Sequence, residues 1–172
     1  MSFHHRHVIR ALLCIGLSLP FAAGAADGAK GAAGTKLDKY LPAKLAGWRT
    51  DPPSDPDNMG DHTLAVNQTF SSKDQESGLD IGIQRILPAS RIGLPKLEQA
   101  KLGRNAEGGV DSMQQVKGIK ALLGYDAGNR SGKLVMVAGT YVVSVDGNGV
   151  TQAQLMAAAD GVDLKGLSEV CR

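Results

Sequence analysis

Leu79, Ile81, Ile83 and Leu87 all fall an even number of positions apart, with Asp80 and Gln84 between them. Side chains alternate across a strand with a period of two, so this spacing buries one face of a strand and gives the other to polar groups. A helix would scatter the same residues around its axis. Residues 63–71 repeat the pattern, with Leu64, Val66 and Phe70 on one side and Thr63, Asn67 and Thr69 on the other; Gln68 is the one misfit on the apolar side. The polar residues 72–78 join the two runs, which predicts an antiparallel pair that Pro88 brings to an end.

The rest of the chain reads as further strands and a few short helices. Residues 36–41 predict a helical turn with Leu37, Tyr40 and Leu41 on one side, stopped by Pro42, and Leu45 and Trp48 follow as core anchors. Pro95 fits the first turn of a short helix running to Leu102. Residues 113–125 read as one strand, with Val116, Ile119, Leu122 and Leu123 apolar and a bulge accounting for the interruptions at Gly118 and Gly124. A turn at 128–132 leads to a hairpin, 134–137 with 141–145, through Gly139. Asp146-Gly147-Asn148-Gly149 turns the chain again, and residues 151–159 predict a helix. Its start is marked by a Thr151/Gln154 capping box and a Val150/Leu155 staple, its stop by Gly161. Val162 and Leu164 fold the end back onto the sheet. These elements predict an α+β fold, an antiparallel sheet of about five strands in the order β-β-α-β-β-β-α with helices packed on one face. Residues 36–172 are expected to form one domain.

Residues 1–25 have the makeup of an export signal. Arg6 and Arg10 precede an apolar stretch at 11–23, and Ala23-Gly24-Ala25 offers small residues for cleavage after Ala25. The apolar stretch is shorter than the roughly 20 residues of a membrane-spanning helix, so no transmembrane anchor is expected after cleavage. Leu13 precedes Cys14 where a lipid-attachment signal has a small residue. Residues 26–35, rich in Gly and Ala, read as a flexible lead-in. The expected location is periplasmic or secreted.

Two of the 19 basic residues and none of the 17 acidic ones lie in this leader, so the remainder carries no net formal charge. Nucleic-acid binding needs a basic footprint that this chain lacks, which sets that class aside. Cys171, next to the last residue, is the one cysteine left after cleavage, so no internal disulfide is expected.

Few motifs carry chemistry. Residues 50–61 hold three prolines and Asp51, Asp55, Asp57 and Asp61, a surface loop in which Asp55, Asp57 and Asp61 are the candidate ligands for a hard cation such as calcium. Asp146-Gly147-Asn148-Gly149 resembles part of a calcium loop, but Ser144 and Leu155 stand where the first and last ligands belong, so a tight strand-to-helix turn is the reading adopted. His62 is the only histidine beyond the leader and no Gly-x-Ser-x-Gly elbow is present. No catalytic residue and no cofactor are assigned.

Residues 116–137, then Gly139-Thr140-Tyr141-Val142-Val143 and the helix at Thr151, resemble small uncharacterised bacterial secreted domains and the C-terminal module of some envelope anti-sigma-regulator proteins. The resemblance implies a hairpin and a helix closing a curved sheet, and carries no catalytic residue. The function expected is a non-enzymatic binding or accessory module for an envelope protein or lipid, using a sheet face or the groove beside residues 50–61. The alternatives are a small hydrolase using carboxylates or His62, and a calcium-stabilised structural domain.

Overall fold

The computed structural model describes residues 36–53, 57–58, 64–86, 93–106 and 108–170. Within these, nine strands form one antiparallel sheet: β1 Arg49–Thr50, β2 Asp57–Asn58, β3 Leu64–Ser71, β4 Gly78–Arg85, β5 Gly103–Arg104, β6 Val110–Val116, β7 Ile119–Asp126, β8 Ser131–Ala138 and β9 Tyr141–Asn148. The order across it is β1-β3-β4-β9-β8-β7-β6-β5, with β2 beside β3. The chain thus leaves β4 for the far edge and meanders back until β9 lies beside β4. Both edges carry two-residue strands, which pair with β3 only at its two ends and with β6 only at its start.

Register explains why one face is dry. Val66 lies opposite Ile83, Ile83 opposite Val143, Val143 opposite Met136 and Met136 opposite Ala121. A parallel row runs Gln68, Ile81, Val145, Leu134 and Leu123. All ten side chains are buried, and Gln68 is the one polar member. Two short helices, α1 Gln152–Asp160 and α2 Leu164–Glu169, add Leu155, Ala158, Ala159, Leu164 and Leu167 to the same core. The α1 start has its capping box: Thr151 Oγ1 accepts from the Gln154 N–H at 3.2 Å, and the Thr151 N–H donates to Gln154 Oε1 at 2.8 Å. α2 starts at Asp163, whose carboxylate accepts from the Gly166 N–H at 2.9 Å.

Glycines set how close α1 comes. Gly132 and Gly147 are register partners on β8 and β9, and a Cβ on either would meet Leu155, 3.0 Å from Cδ1 and 2.9 Å from Cδ2 respectively. Leu155 therefore seats in a dimple where the sheet has no side chains. Tyr125 flanks the dimple, and its hydroxyl donates to the Val150 carbonyl at 2.8 Å.

This architecture is mostly β and overturns the expectation of a five-stranded α+β domain with helices packed on one face. Three differences account for it. Residues 113–125 are not one bulged strand but the hairpin β6–β7, turned at Lys117 and Gly118 with φ of 50° and 81°. Two successive left-handed residues match the twist of a two-residue hairpin, and Lys in the first place hides the usual Asn-Gly signal. The helix expected from Pro95 to Leu102 is only a single 3-10 turn, Leu97–Gln99, without a side-chain cap at Lys96; Leu97 alone is buried in it. The strands β1, β2 and β5 are too short to show any period. Near the start, the 3-10 turn Leu37–Tyr40 buries Leu37 and Tyr40 beside Leu41.

Residues 1–25 and 26–35, Asp55, Asp61, His62 and Cys171 lie outside the described residues, as does the side chain of Asp57. Among the described residues no helix is long and apolar enough to cross a membrane.

Candidate functional site

Because side chains alternate, burying one face turns every second residue of β3, β4, β7, β8 and β9 to the other face, on which, among the described residues, neither α1 nor α2 packs. Register builds a polar row across that face: Thr69, Asp80, Asp146, Lys133, Gly124 and Asp111, each opposite the next. A second row beside it runs Asn67, Gly82, Ser144, Val135, Leu122 and Met113. Half of this second row is polar or bare backbone, and half is apolar.

The acids are held in place individually. Asp80 Oδ1 accepts from Thr69 Oγ1 at 2.6 Å, and Asp146 takes an ion pair from Lys133 Nζ at 3.0 Å. Asp80 and Asp146 face each other directly across β4 and β9, an arrangement of like charges that costs stability unless each has a partner of its own. Asp111 folds over Gly124, where a Cβ would lie 2.8 Å from its Oδ1, and accepts from Asn105 Nδ2 at 2.8 Å. The same approach is seen at Gly82, where a Cβ would lie 2.6 Å from Asn67 Oδ1 and 3.0 Å from Ser144 Oγ. Glycine in the rows thus makes room for polar neighbours rather than for a turn.

A groove of about 1000 Å³ lies over Asp80, Asp146, Lys133, Gly124 and Asp111 of the first row and Val135 and Leu122 of the second, and residues of the β3–β4 and β7–β8 turns line it too. Asp126 shapes the second turn. Its carboxylate accepts from the backbone N–H groups of Asn129 at 3.2 Å and Gly128 at 2.8 Å, and these bonds, that to Asn129 foremost, hold its pKa below the usual carboxylate value. In the first turn Asp74 is lowered too, by the Ser72 hydroxyl and then the Glu76 N–H. Among the described residues the groove is lined by Glu76, Asp80, Asp111, Asp126 and Asp146 against the single cation Lys133. Leu122 and Val135 give it an apolar floor beside the acids.

Asp55, Asp61 and His62 are outside the described residues, and of Asp57 only the backbone, opposite Ala65, is described. No group of three or more His, Cys, Asp or Glu positioned for a metal occurs among the described residues. The Asp146-Gly147-Asn148-Gly149 segment is not the four-residue turn expected: β9 runs through Asn148, Asp146 faces the groove and Gly147 faces the core. Only Gly149 has the left-handed φ, 70°, and its carbonyl accepts from Ser77 Oγ at 2.9 Å. Sequence reasoning placed Asp80 opposite the apolar face but missed the row, since Asp111, Lys133 and Asp146 join it only through register.

No family model matches the chain, no curated protein matches it, and no solved structure matches its fold.

Proposed function

We propose that this chain is an exported, non-enzymatic binding module whose open sheet face takes up a cationic segment of an envelope protein. The supporting observation is the groove itself: among the described residues five carboxylates and one ammonium line it, beside the apolar Leu122 and Val135. Lys or Arg side chains of a partner would lie along the acidic row, and an apolar residue between them would cover Leu122 and Val135. A protein is favoured over a lipid because the negative lining repels anionic headgroups. Each of Asp80, Asp111 and Asp146 has a hydrogen-bond or ion-pair partner and keeps further acceptor positions for a cation.

The test is fluorescence anisotropy of a labelled peptide of sequence KKLKKLKK, with a Gly-Ser peptide of equal length as control. Saturable binding is expected for the first only, weakening as salt screens the exposed charges. Asp80→Asn with Asp146→Asn should weaken it by about tenfold, equal to about 1.4 kcal/mol. Binding that ignores both salt and these substitutions would refute the proposal, as would no binding at all.

A further inference from the structure

A second hollow, of about 450 Å³, lies at the opposite side of the sheet's β3 edge, between the 3-10 turn at Leu37–Tyr40 and the segment after β1. That size falls within the range of about 300–1,000 Å³ found for small-ligand sites. Its lining is mixed: Leu41, Ala43, Pro52 and Pro53 are apolar, Asp38, Lys39 and Asp51 are charged, and Gln68 reaches it from the core side of β3.

Gln68 has no evident structural reason to be glutamine. Its strand neighbours on the same face, Val66 and Phe70, are fully buried, as is Ile81 directly opposite it on β4. Gln68 itself is 4% exposed and is the one buried polar residue among the described residues. A carboxamide offers two N–H donors and an oxygen with two acceptor positions. Among the described residues Gln68 makes a single hydrogen bond, from Nε2 to the Asp51 carbonyl at 3.5 Å, the outer limit for such a bond. Neither amide atom is both fully buried and without a partner, so the carboxamide keeps access to the hollow.

The donors and acceptor of that amide, beside the apolar part of the hollow, define its complement. A carboxylate can only accept and an ammonium can only donate, whereas a carboxamide both donates and accepts. One residue of an extended chain presents its own N–H and C=O on the same side, as in a ladder pair. We propose that this hollow binds one residue of an extended peptide, with Gln68 reading its N–H and C=O and with Leu41, Pro52 and Pro53 covering a small apolar side chain. The site stands apart from the groove on the open face and does not depend on that reading.

N-acetylalanine N-methylamide is the probe, titrated into the ¹⁵N-labelled chain while the Gln68 side-chain NH₂ resonances are followed. Saturable shifts of that pair and of the Asp51 and Thr69 backbone amides are expected. N,N-dimethylacetamide, which has no N–H to donate, should bind at least about tenfold more weakly. Gln68→Leu should lose the response while its melting temperature stays level or rises, and Gln68→Met provides the same loss of amide with an unbranched side chain. The proposal is overturned if the probe gives no saturable shift up to its solubility, if N,N-dimethylacetamide binds equally well, or if a folded Gln68→Leu or Gln68→Met chain still responds.

Discussion

Gly147→Ala tests the claim that α1 is seated on bare backbone. A Cβ at this position would lie 2.5 Å from Val150 Cγ2, 2.9 Å from Leu155 Cδ2 and 3.2 Å from Leu79 Cδ2. Carbon atoms sit comfortably at about 3.5–4.0 Å, so roughly 1 Å must be found against Val150 alone. Val150, Leu155 and Leu79 are all fully buried, which leaves no free volume to swing into. Overpacking of this kind costs about 1–3 kcal/mol. The loss of glycine's freedom in the unfolded chain returns about 0.4–1 kcal/mol, since Gly147 is not among the glycines with left-handed φ and alanine accepts its backbone. The net expectation is a loss of about 1–2 kcal/mol, read as a lower urea midpoint at unchanged slope. Gly132→Ala should lose more, because its Cβ would meet the Gly124 carbonyl oxygen at 2.6 Å, and backbone yields less than a side chain. Gly93→Ala is the control, with nothing within 4 Å of its Cβ. If Gly147→Ala unfolds at the same urea concentration as Gly93→Ala, the seating of Leu155 on the glycines is wrong.

Three other substitutions or conditions probe separate features. Thr151→Ala removes the acceptor for the Gln154 N–H and should cost about 1 kcal/mol by urea denaturation, with Thr151→Ser close to the parent. Gly118→Val places a β-branched residue at φ of 81° and should destabilise the β6–β7 hairpin by at least about 1–2 kcal/mol, whereas Gly118→Asn should cost less. Asp126 has a lowered folded pKa, so its stabilising contribution is present above the ordinary carboxylate value of 3.8 and is lost as pH falls through the lower folded value. Comparing the parent with Asp126→Asn, the stability gap should be constant near neutrality and should close only below that ordinary value; a gap that closes between pH 5 and 7 would contradict the assignment.

How much of this was legible depended on the length of each element. The strands β3, β4, β8 and β9 are eight residues each, long enough for alternation to show. The α1 helix carries both halves of a capping box within its own sequence. The β6–β7 turn was hidden because Lys117 takes a left-handed conformation usually given to Asn or Gly. α2 was hidden because its six residues include Gly166, a poor helix former, which here allows the Asp163 cap to reach its N–H. The site was legible only in fragments. Asp80 reads as a solvent-side residue and Gln68 as a misfit, but the meaning of each depends on neighbours distant in sequence, Asp146 across the sheet from Asp80 and Leu41 beside the hollow that Gln68 reaches.

The central claim, that the open sheet face is the binding surface, is tested most directly by mapping amide shifts of the ¹⁵N-labelled chain during titration with the KKLKKLKK peptide. The expected result is a continuous patch over Thr69, Asp80, Asp146 and Lys133 with the neighbouring Leu122 and Val135, reversed by salt. Shifts confined to the α1 side of the sheet, or none at a peptide excess that saturates the anisotropy signal, would contradict it.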